Sequence, residues 1–210
     1  MRRIAALSLL AVFLAPMRAP CDTRSVYGPE VPGNSAFVRM VNAIPGPSQL
    51  RLELGATRFD PLPYAGVSPY KPVVPDIYQL EAGGSAQEII PKSGAYYTVV
   101  CGQKAITVLQ DPAHADPARA QLFLYNLSSL PAVDLKTSDG KTAVILGVAP
   151  NASGMKVVNA VTVSFAVFHA SARIGTVGDL GLARGSSFSV FVLGGASPKV
   201  FAVKAKVAAE

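Results

Sequence analysis

Residues 133–146 have the sequence VDLKTSDGKTAVIL, and this stretch decides the fold class. Apolar and polar residues alternate over 133–137, a pattern typical of a strand with one buried face. The dipeptide Asp139-Gly140 favours a tight turn. The apolar run 142–146 then supplies a returning strand. The stretch therefore predicts a β-hairpin.

The same order of strand-like pieces occurs twice along the chain. Four stretches pair with four later ones: 37–42 with 121–126, 50–53 with 133–136, 66–69 with 147–150, and 96–100 with 188–192. The offsets are 84, 83, 81 and 92 residues, so only small gaps are needed. Any one pair could arise by chance, but four pairs in one order favour a duplicated β-domain.

The segment 111–118 contains prolines and has no strand pattern, which predicts a linker between the two copies. We therefore expect a signal peptide at 1–21, an N-terminal domain at 22–110, the linker at 111–118 and a C-terminal domain at 119–210. Short strands separated by turns, without an amphipathic helix, predict an all-β fold of two tandem antiparallel β-sandwiches, Ig-like or jelly-roll-like. A single barrel across both halves is the alternative that the repeat disfavours.

The first residues have the features of a secretory signal peptide. Two arginines precede an apolar run at 4–15, which is too short to cross a bilayer as a helix. Small residues before Asp22 predict cleavage after Cys21 and a periplasmic location. A lipoprotein attached through Cys21 is the weaker alternative, because Arg18 and Pro20 do not suit lipoprotein processing. Since no later run of 18 apolar residues follows, we expect a mature chain that does not span a membrane.

Composition argues against a nucleic-acid-binding protein. The 210 residues include 19 Lys and Arg against 13 Asp and Glu, and only 15% are charged. Three of the arginines lie in the leader, which leaves 16 basic against 13 acidic groups after cleavage. This excess is too small and too scattered to neutralise a phosphate backbone.

The sequence offers no catalytic or metal-binding constellation. Its two histidines, His114 and His169, are near no nucleophile motif, and with Cys101 they lack metal-site spacing. Three Ser-x-x-Lys matches begin at Ser68, Ser138 and Ser153. They fall in loops or turns, whereas that chemistry needs a helix start. We therefore expect no catalytic residue, no metal and no cofactor.

Binding to a polymer is harder to exclude from the residues alone. Six tyrosines cluster in the first half: Tyr27, Tyr64, Tyr70, Tyr78, Tyr96 and Tyr97. Exposed tyrosine rings can stack on sugars, although core or strand-edge positions are the more common use. Near the C-terminus, Lys199, Lys204 and Lys206 could meet an anionic polymer, although a solvated strand face is the simpler interpretation.

Several stretches resemble the AlgF family of alginate O-acetylation proteins. The opening VYGPEVPGNSAFVR at 26–39 is similar to the start of mature AlgF, and the block LKTSDGKT at 135–142 is fairly specific. Weaker matches are YYTVV at 96–100, QDP at 110–112 and YNLS at 125–128. The similarity is collinear over nearly all of the mature chain. The leader, the region 58–85 and the tail depart from the family pattern.

The resemblance implies a periplasmic, non-enzymatic adaptor of an exopolysaccharide O-acetylation complex. Its partners would be a membrane acyltransferase and periplasmic acetyltransferases, with the polymer being alginate, acetylated cellulose or another exopolysaccharide. A secreted carbohydrate-binding or adhesion module is the alternative, and a direct acetyltransferase is a third possibility.

Two surfaces are nominated for partner binding on the sequence alone. One is the proline-flanked arm with Tyr27 and Pro29. The other is the hairpin with Lys136, Asp139 and Lys141.

Overall fold

A computed structural model describes residues 31–46, 48–195 and 197–208, and its regular elements there are all β-strands. The predicted signal peptide, Cys21, Tyr27 and Pro29 lie outside these residues. Within the described ranges, no helix exists that could carry an apolar stretch across a membrane.

The first half of the described chain contains eight strands. They are β1 (Ala36–Asn42), β2 (Leu50–Leu54), β3 (Thr57–Leu62), β4 (Lys71–Val73), β5 (Tyr78–Ala82), β6 (Ser85–Ile89), β7 (Tyr96–Cys101) and β8 (Ile106–Asp111). One sheet has the order β4-β1-β7-β8, and the hairpins β2-β3 and β5-β6 lie next to each other through β2 and β5.

The second half contains eight more. They are β9 (Ala120–Ser128), β10 (Val133–Thr137), β11 (Ala143–Val148), β12 (Ala152–Val158), β13 (Thr162–His169), β14 (Ala172–Gly181), β15 (Ser187–Gly194) and β16 (Lys199–Lys204). They form sheets of order β12-β9-β15-β16 and β11-β10-β13-β14. The hairpin predicted at 133–146 is present as β10 and β11.

One four-stranded sheet in each half has the same topology, which supports the duplication. In each half the first strand pairs with an antiparallel edge strand on one side and a parallel strand on the other: β1 with β4 and β7, β9 with β12 and β15. The other pairs of named strands in the described ranges are antiparallel, and one isolated bridge, between Tyr70 and Val207, is also parallel. The strands of each parallel pair are far apart in sequence, which leaves room for the crossover that parallel pairing needs.

A buried asparagine lies at the equivalent position of β1 and β9 and performs the same task twice. Asn42 is 1% exposed and donates to Leu62 O at 2.8 Å, and Asn126 is fully buried and donates to Val148 O at 2.9 Å. The side-chain oxygen of each also accepts the backbone N–H two residues later. Buried amides are costly unless bonded, so these contacts fix where each following hairpin docks.

The ladders correct two of the four sequence pairs. Leu50 pairs with Leu62 and Val133 with Val148, which confirms the offset of 83 between β2 and β10 and places the following strands 86 residues apart. The match of 66–69 to 147–150 is therefore wrong by five residues, because Gly-Val and Pro recur in turns of both copies. Parallel partners of β1 and β9 give 91 residues between β7 and β15 instead of 92. A uniformly apolar strand does not reveal its register.

Each half encloses its own core, and a third cluster lies between them within the compact unit Val31–Glu210. The buried members of the third cluster are Val41, Val100, Phe123, Tyr125 and Phe191. The C-terminal segment also reaches the first half, where Tyr70 donates its N–H to Lys206 O at 2.8 Å and accepts from Ala208 N at 2.9 Å. The irregular segment 112–119 joins β8 to β9. The division into domains at 111–118 stays a prediction.

Candidate functional site

A polar cluster lies between the two halves with Arg39 at its centre. Arg39 is in the middle of β1 and is 1% exposed. Its Nε donates to Thr98 Oγ1, and its Nη2 donates to Tyr125 OH and Ser189 Oγ, each at 2.9 Å. Because Thr98 is in the first half and the other two acceptors are in the second, the guanidinium bridges the halves.

Asp111, at the end of β8, is the acidic counterpart of Arg39. It is 3% exposed and accepts three hydroxyl hydrogen bonds. Oδ2 accepts from Thr98 at 2.5 Å and from Tyr70 at 2.7 Å, and Oδ1 accepts from Tyr125 at 2.6 Å. The carboxylate thus collects donors from both halves.

Hydroxyl groups connect the two charges. Thr98 and Tyr125 each accept a hydrogen bond from Arg39 and donate their own proton to Asp111. The guanidinium also lies over the Tyr70 ring, 4.6 Å from its centroid. A buried charge is tolerated when it is hydrogen-bonded and offset by an opposite charge, and here the shared hydroxyls of Thr98 and Tyr125 connect Arg39 to Asp111 without a direct ion pair between the two. We call Arg39, Tyr70, Thr98, Asp111, Tyr125 and Ser189 the Arg39 cluster.

The tyrosines of the cluster are held in their protonated form. Burial raises the pKa of Tyr70 and of Tyr125 well above the usual value, and the nearby Asp111 charge raises both further. Arg39 opposes the shift without overcoming it. Because both hydroxyls stay protonated near neutral pH, the two tyrosines provide fixed hydrogen bonds and do not serve as acids or bases there.

The cluster uses equivalent positions of the two repeats. With the offset of 91 residues between β7 and β15, Thr98 corresponds to Ser189, and both accept from Arg39. Arg39 itself corresponds to Phe123, which packs in the apolar cluster between the halves. One copy therefore supplies the charge, and the other supplies an aromatic ring at the same place.

A cleft of about 450 Å³ opens beside the Arg39 cluster. The first half contributes Tyr70, Tyr96 and the segment 111–114, and the second half contributes Gln121, Phe123 and two short segments, 183–187 and 204–207. Three of the lining residues are exposed cations, Arg184, Lys204 and Lys206. The volume is within the range of ligand pockets, roughly 300–1,000 Å³.

The nominated hairpin forms a turn held by its own residues. Asp139 is exposed, and its Oδ1 accepts from Thr137 Oγ1 at 2.5 Å and from Lys141 N at 3.0 Å. These bonds lower the pKa of the Asp139 carboxyl, with the Thr137 bond as the largest cause. Lys136 is half-buried, contacts Asp134 at 3.4 Å and lies over the Phe168 ring at 5.2 Å. One basic residue of the hairpin, Lys136, thus lies over an aromatic ring of β13, while Asp139 stabilises the turn.

The other candidates from the sequence are not brought together. His169 Nδ1 is 2.7 Å from Ala132 O, and His114 is in the segment between β8 and β9. Ser68 is buried and bonded to Met40 N and Pro69 O. Among the described residues, no group of three His, Cys, Asp or Glu side chains is placed to hold a metal ion.

The tyrosines of the first half are largely covered. Tyr70 and Tyr97 are 5% and 7% exposed, and the other described members, Tyr64, Tyr78 and Tyr96, are half-buried. The Tyr96 ring stacks on Phe37 with centroids 4.8 Å apart. Rings packed in this way offer little free face for a sugar.

Sequence reasoning missed the Arg39 cluster, although one signal was available. A lone arginine in the otherwise apolar strand 36–41 is an expensive residue unless a partner is buried with it. The partner, Asp111, was assigned to the linker because Pro112 follows it. No sequence pattern connects positions so far apart in the chain.

Comparison with known proteins gives consistent matches over most of the chain. Residues 8–189 match the model of the family described as alginate O-acetyl transferase AlgF. Alginate biosynthesis protein AlgF of Pseudomonas aeruginosa is 32% identical over 187 residues, covering 88% of this chain and 85% of the relative. The AlgF of Pseudomonas putida is 30% identical over 192 residues, covering 90% and 88%. A solved C-terminal domain of AlgF from P. aeruginosa covers 41% of this chain and 98% of that domain, with 33% identity and a TM-score of 0.38.

Proposed function

Because the chain belongs to the AlgF family, we propose that it is a periplasmic, non-catalytic adaptor in the O-acetylation of alginate or a similar exopolysaccharide. It bridges a membrane acyltransferase and periplasmic acetyltransferases. The family name supplies the process, and the proposal adds the role within it. The polymer can be alginate, acetylated cellulose or another exopolysaccharide.

The main support for this role is that the charged and hydroxyl side chains of the Arg39 cluster are buried between the two halves. Acetyl transfer through the protein would need an activated nucleophile next to a base at an accessible site. Here the densest polar group, the Arg39 cluster, is buried and joins two β-sandwiches. In the described ranges, no serine, threonine or cysteine side chain is hydrogen-bonded to a histidine. A protein built in this way is suited to binding partner proteins on its outer surface.

Two similar halves joined in this way give one compact unit with two sets of outward faces, which suits contact with two partners at once. The hairpin with Lys136, Asp139 and Lys141 is our proposal for one contact surface. The arm with Tyr27 and Pro29 is proposed as a second, on sequence grounds alone. The predicted leader at 1–21 would direct the chain to the periplasm.

Deletion of the gene tests the process. We expect the host to secrete exopolysaccharide of normal yield that has lost its acetyl groups, measured by hydroxamate assay or NMR of the purified polymer. Normal acetyl content would refute the proposal. Complementation with the unaltered chain should restore acetylation.

Two measurements on the purified chain test the adaptor role. It should bind the periplasmic and membrane acetylation proteins of the same host in a pull-down, and it should not hydrolyse an acetyl ester reporter. Reporter hydrolysis that disappears when one serine or histidine is changed would instead make the chain an acetyltransferase. Binding to a glycan array without binding to either partner would favour the carbohydrate-binding alternative.

A further inference from the structure

We propose that the cleft beside the Arg39 cluster binds an acidic, extended segment of a periplasmic acetyltransferase. This inference rests on the proposed adaptor function and assigns it a surface. The cleft lies where both halves contribute lining residues. A segment bound there would contact both halves at once.

The charges of the cleft favour an acidic occupant. Arg184, Lys204 and Lys206 are exposed at its wall and form no salt bridge with another described residue. Among the described residues that line the cleft, Asp111 is the one carboxylate, and its oxygens already accept three hydroxyl bonds from within the protein. The accessible charge is therefore positive, which attracts and orients acidic groups of a partner.

The aromatic residues of the cleft favour a polypeptide over a sugar. One side of the Tyr70 ring faces the guanidinium of Arg39, and its neighbour Tyr96 meets it edge-on with centroids 5.3 Å apart. Tyr96 also stacks on Phe37, and Phe123 is only 3% exposed. Carbohydrate sites use open ring faces, whereas a peptide needs an apolar wall and a few charged anchors.

One polar atom at the cleft wall is without a partner. His114 Nε2 is shielded from solvent and makes no hydrogen bond to any described residue. Buried polar atoms are normally bonded, so this one marks a place where the packing is incomplete. His114 belongs to the irregular segment between β8 and β9 and is one of the residues that line the cleft.

Charge reversal at two exposed lysines tests the proposal in the full mature chain. The variant Lys204→Glu/Lys206→Glu changes the cleft. The matched control Lys104→Glu/Lys156→Glu changes net charge equally at exposed lysines that do not line it. Each protein is titrated by biolayer interferometry against the purified periplasmic acetyltransferases of the host, a hexaglutamate peptide and an oligouronate of six residues. Circular dichroism verifies that both variants are folded.

We expect the unaltered chain to bind an acetyltransferase and hexaglutamate, the cleft variant to lose at least about tenfold in both affinities, and the control to stay within about twofold. Equal binding by the cleft variant, or equal losses in both variants, would overturn the inference while leaving the adaptor function intact. Tighter binding of the oligouronate than of hexaglutamate at the cleft would overturn it in favour of a polysaccharide. Failure of the unaltered chain to bind any acetyltransferase would refute the adaptor function, and this inference with it.

Discussion

Replacement of Asp111 by Asn isolates the energetic role of the Arg39 cluster. The change keeps the side-chain volume but removes the carboxylate that is buried beside Arg39. It also replaces an oxygen that accepts from a hydroxyl with an NH₂ group that can only donate. Arg39 and Asp111 are joined through the hydroxyls of Thr98 and Tyr125 and not by a direct ion pair, but removing one of two offsetting buried charges still leaves the other uncompensated, and in buried pairs this costs about 3–5 kcal/mol. Since domains of 150–250 residues lose about 2–4 °C in melting temperature per kcal/mol, we expect a decrease of about 6–20 °C.

The measurement is urea unfolding of the mature chain followed by circular dichroism, because the sequence has no tryptophan to report by fluorescence. Asp60→Asn is the control, since Asp60 is exposed on β3 and surface substitutions usually change stability by less than about 0.5 kcal/mol.

A second variant shows whether the loss comes from the unpaired charge. Adding Arg39→Met to Asp111→Asn removes the charge that the first change left uncompensated. Replacement of both partners of a buried pair is often near neutral, so we expect the double variant to recover at least about 2 kcal/mol relative to Asp111→Asn alone. Additive losses, or a cost below about 1 kcal/mol for Asp111→Asn, would contradict the interpretation of the cluster as a coupled pair.

Three further predictions concern other parts of the fold. Because the folded-state pKa values of Tyr70 and Tyr125 are raised, their contribution to stability is complete below pH 10 and is lost as pH rises beyond it, when the unfolded chain ionises first. The unfolding free energy of Tyr125→Phe should therefore fall less steeply between pH 9 and 11 than that of the unaltered chain. The two slopes should differ by up to about 1.4 kcal/mol per pH unit, and parallel curves would contradict this. Gly175→Ala should destabilise the chain by about 1–3 kcal/mol, because a Cβ there would lie 2.5 Å from a methyl of Val200. The control in thermal melts is Gly181→Ala on the same strand, where an added Cβ meets nothing within 4 Å. Cys101 is fully buried, and burial raises its pKa to about 12, so a thiol reagent should label it only as fast as the chain unfolds, and rapid labelling of the folded chain would show the burial to be wrong.

The strand content and the repeat could be predicted because they depend on local sequence. Alternation and an Asp-Gly turn define the hairpin β10-β11 within 16 residues. The matched stretches 37–42 and 121–126 both end in asparagine. The sequence match between β7 and its counterpart β15 in the second half is displaced by one residue. Both strands are buried on both faces, so their sequences do not alternate. Alternation gives the register only where one face is polar.

The site could not be predicted because it depends on the packing of one half against the other. Arg39, Asp111 and Ser189 belong to strands whose positions in the chain differ by up to 150 residues. Asp111 and Ser189 look ordinary in their own strands, and although the lone arginine of β1 stands out, only the facing of two sheets brings its partners to it. From the sequence, Lys204 and Lys206 are predicted to lie on a solvated strand face. They line the cleft only because the first half supplies its opposite wall.

The differences between the two copies indicate how a duplicated domain becomes a single body. Two identical sandwiches would meet through identical residues, and a buried arginine from each side would place like charges together at a cost that no partner offsets. Here one copy keeps Arg39, and the other has Phe123 at the equivalent place. Both copies retain a small hydroxyl, Thr98 or Ser189, to bond the single guanidinium. The halves are therefore complementary to each other and not interchangeable. The cleft beside them is asymmetric for the same reason, because Tyr70 and Asp111 line one side of it and exposed lysines line the other.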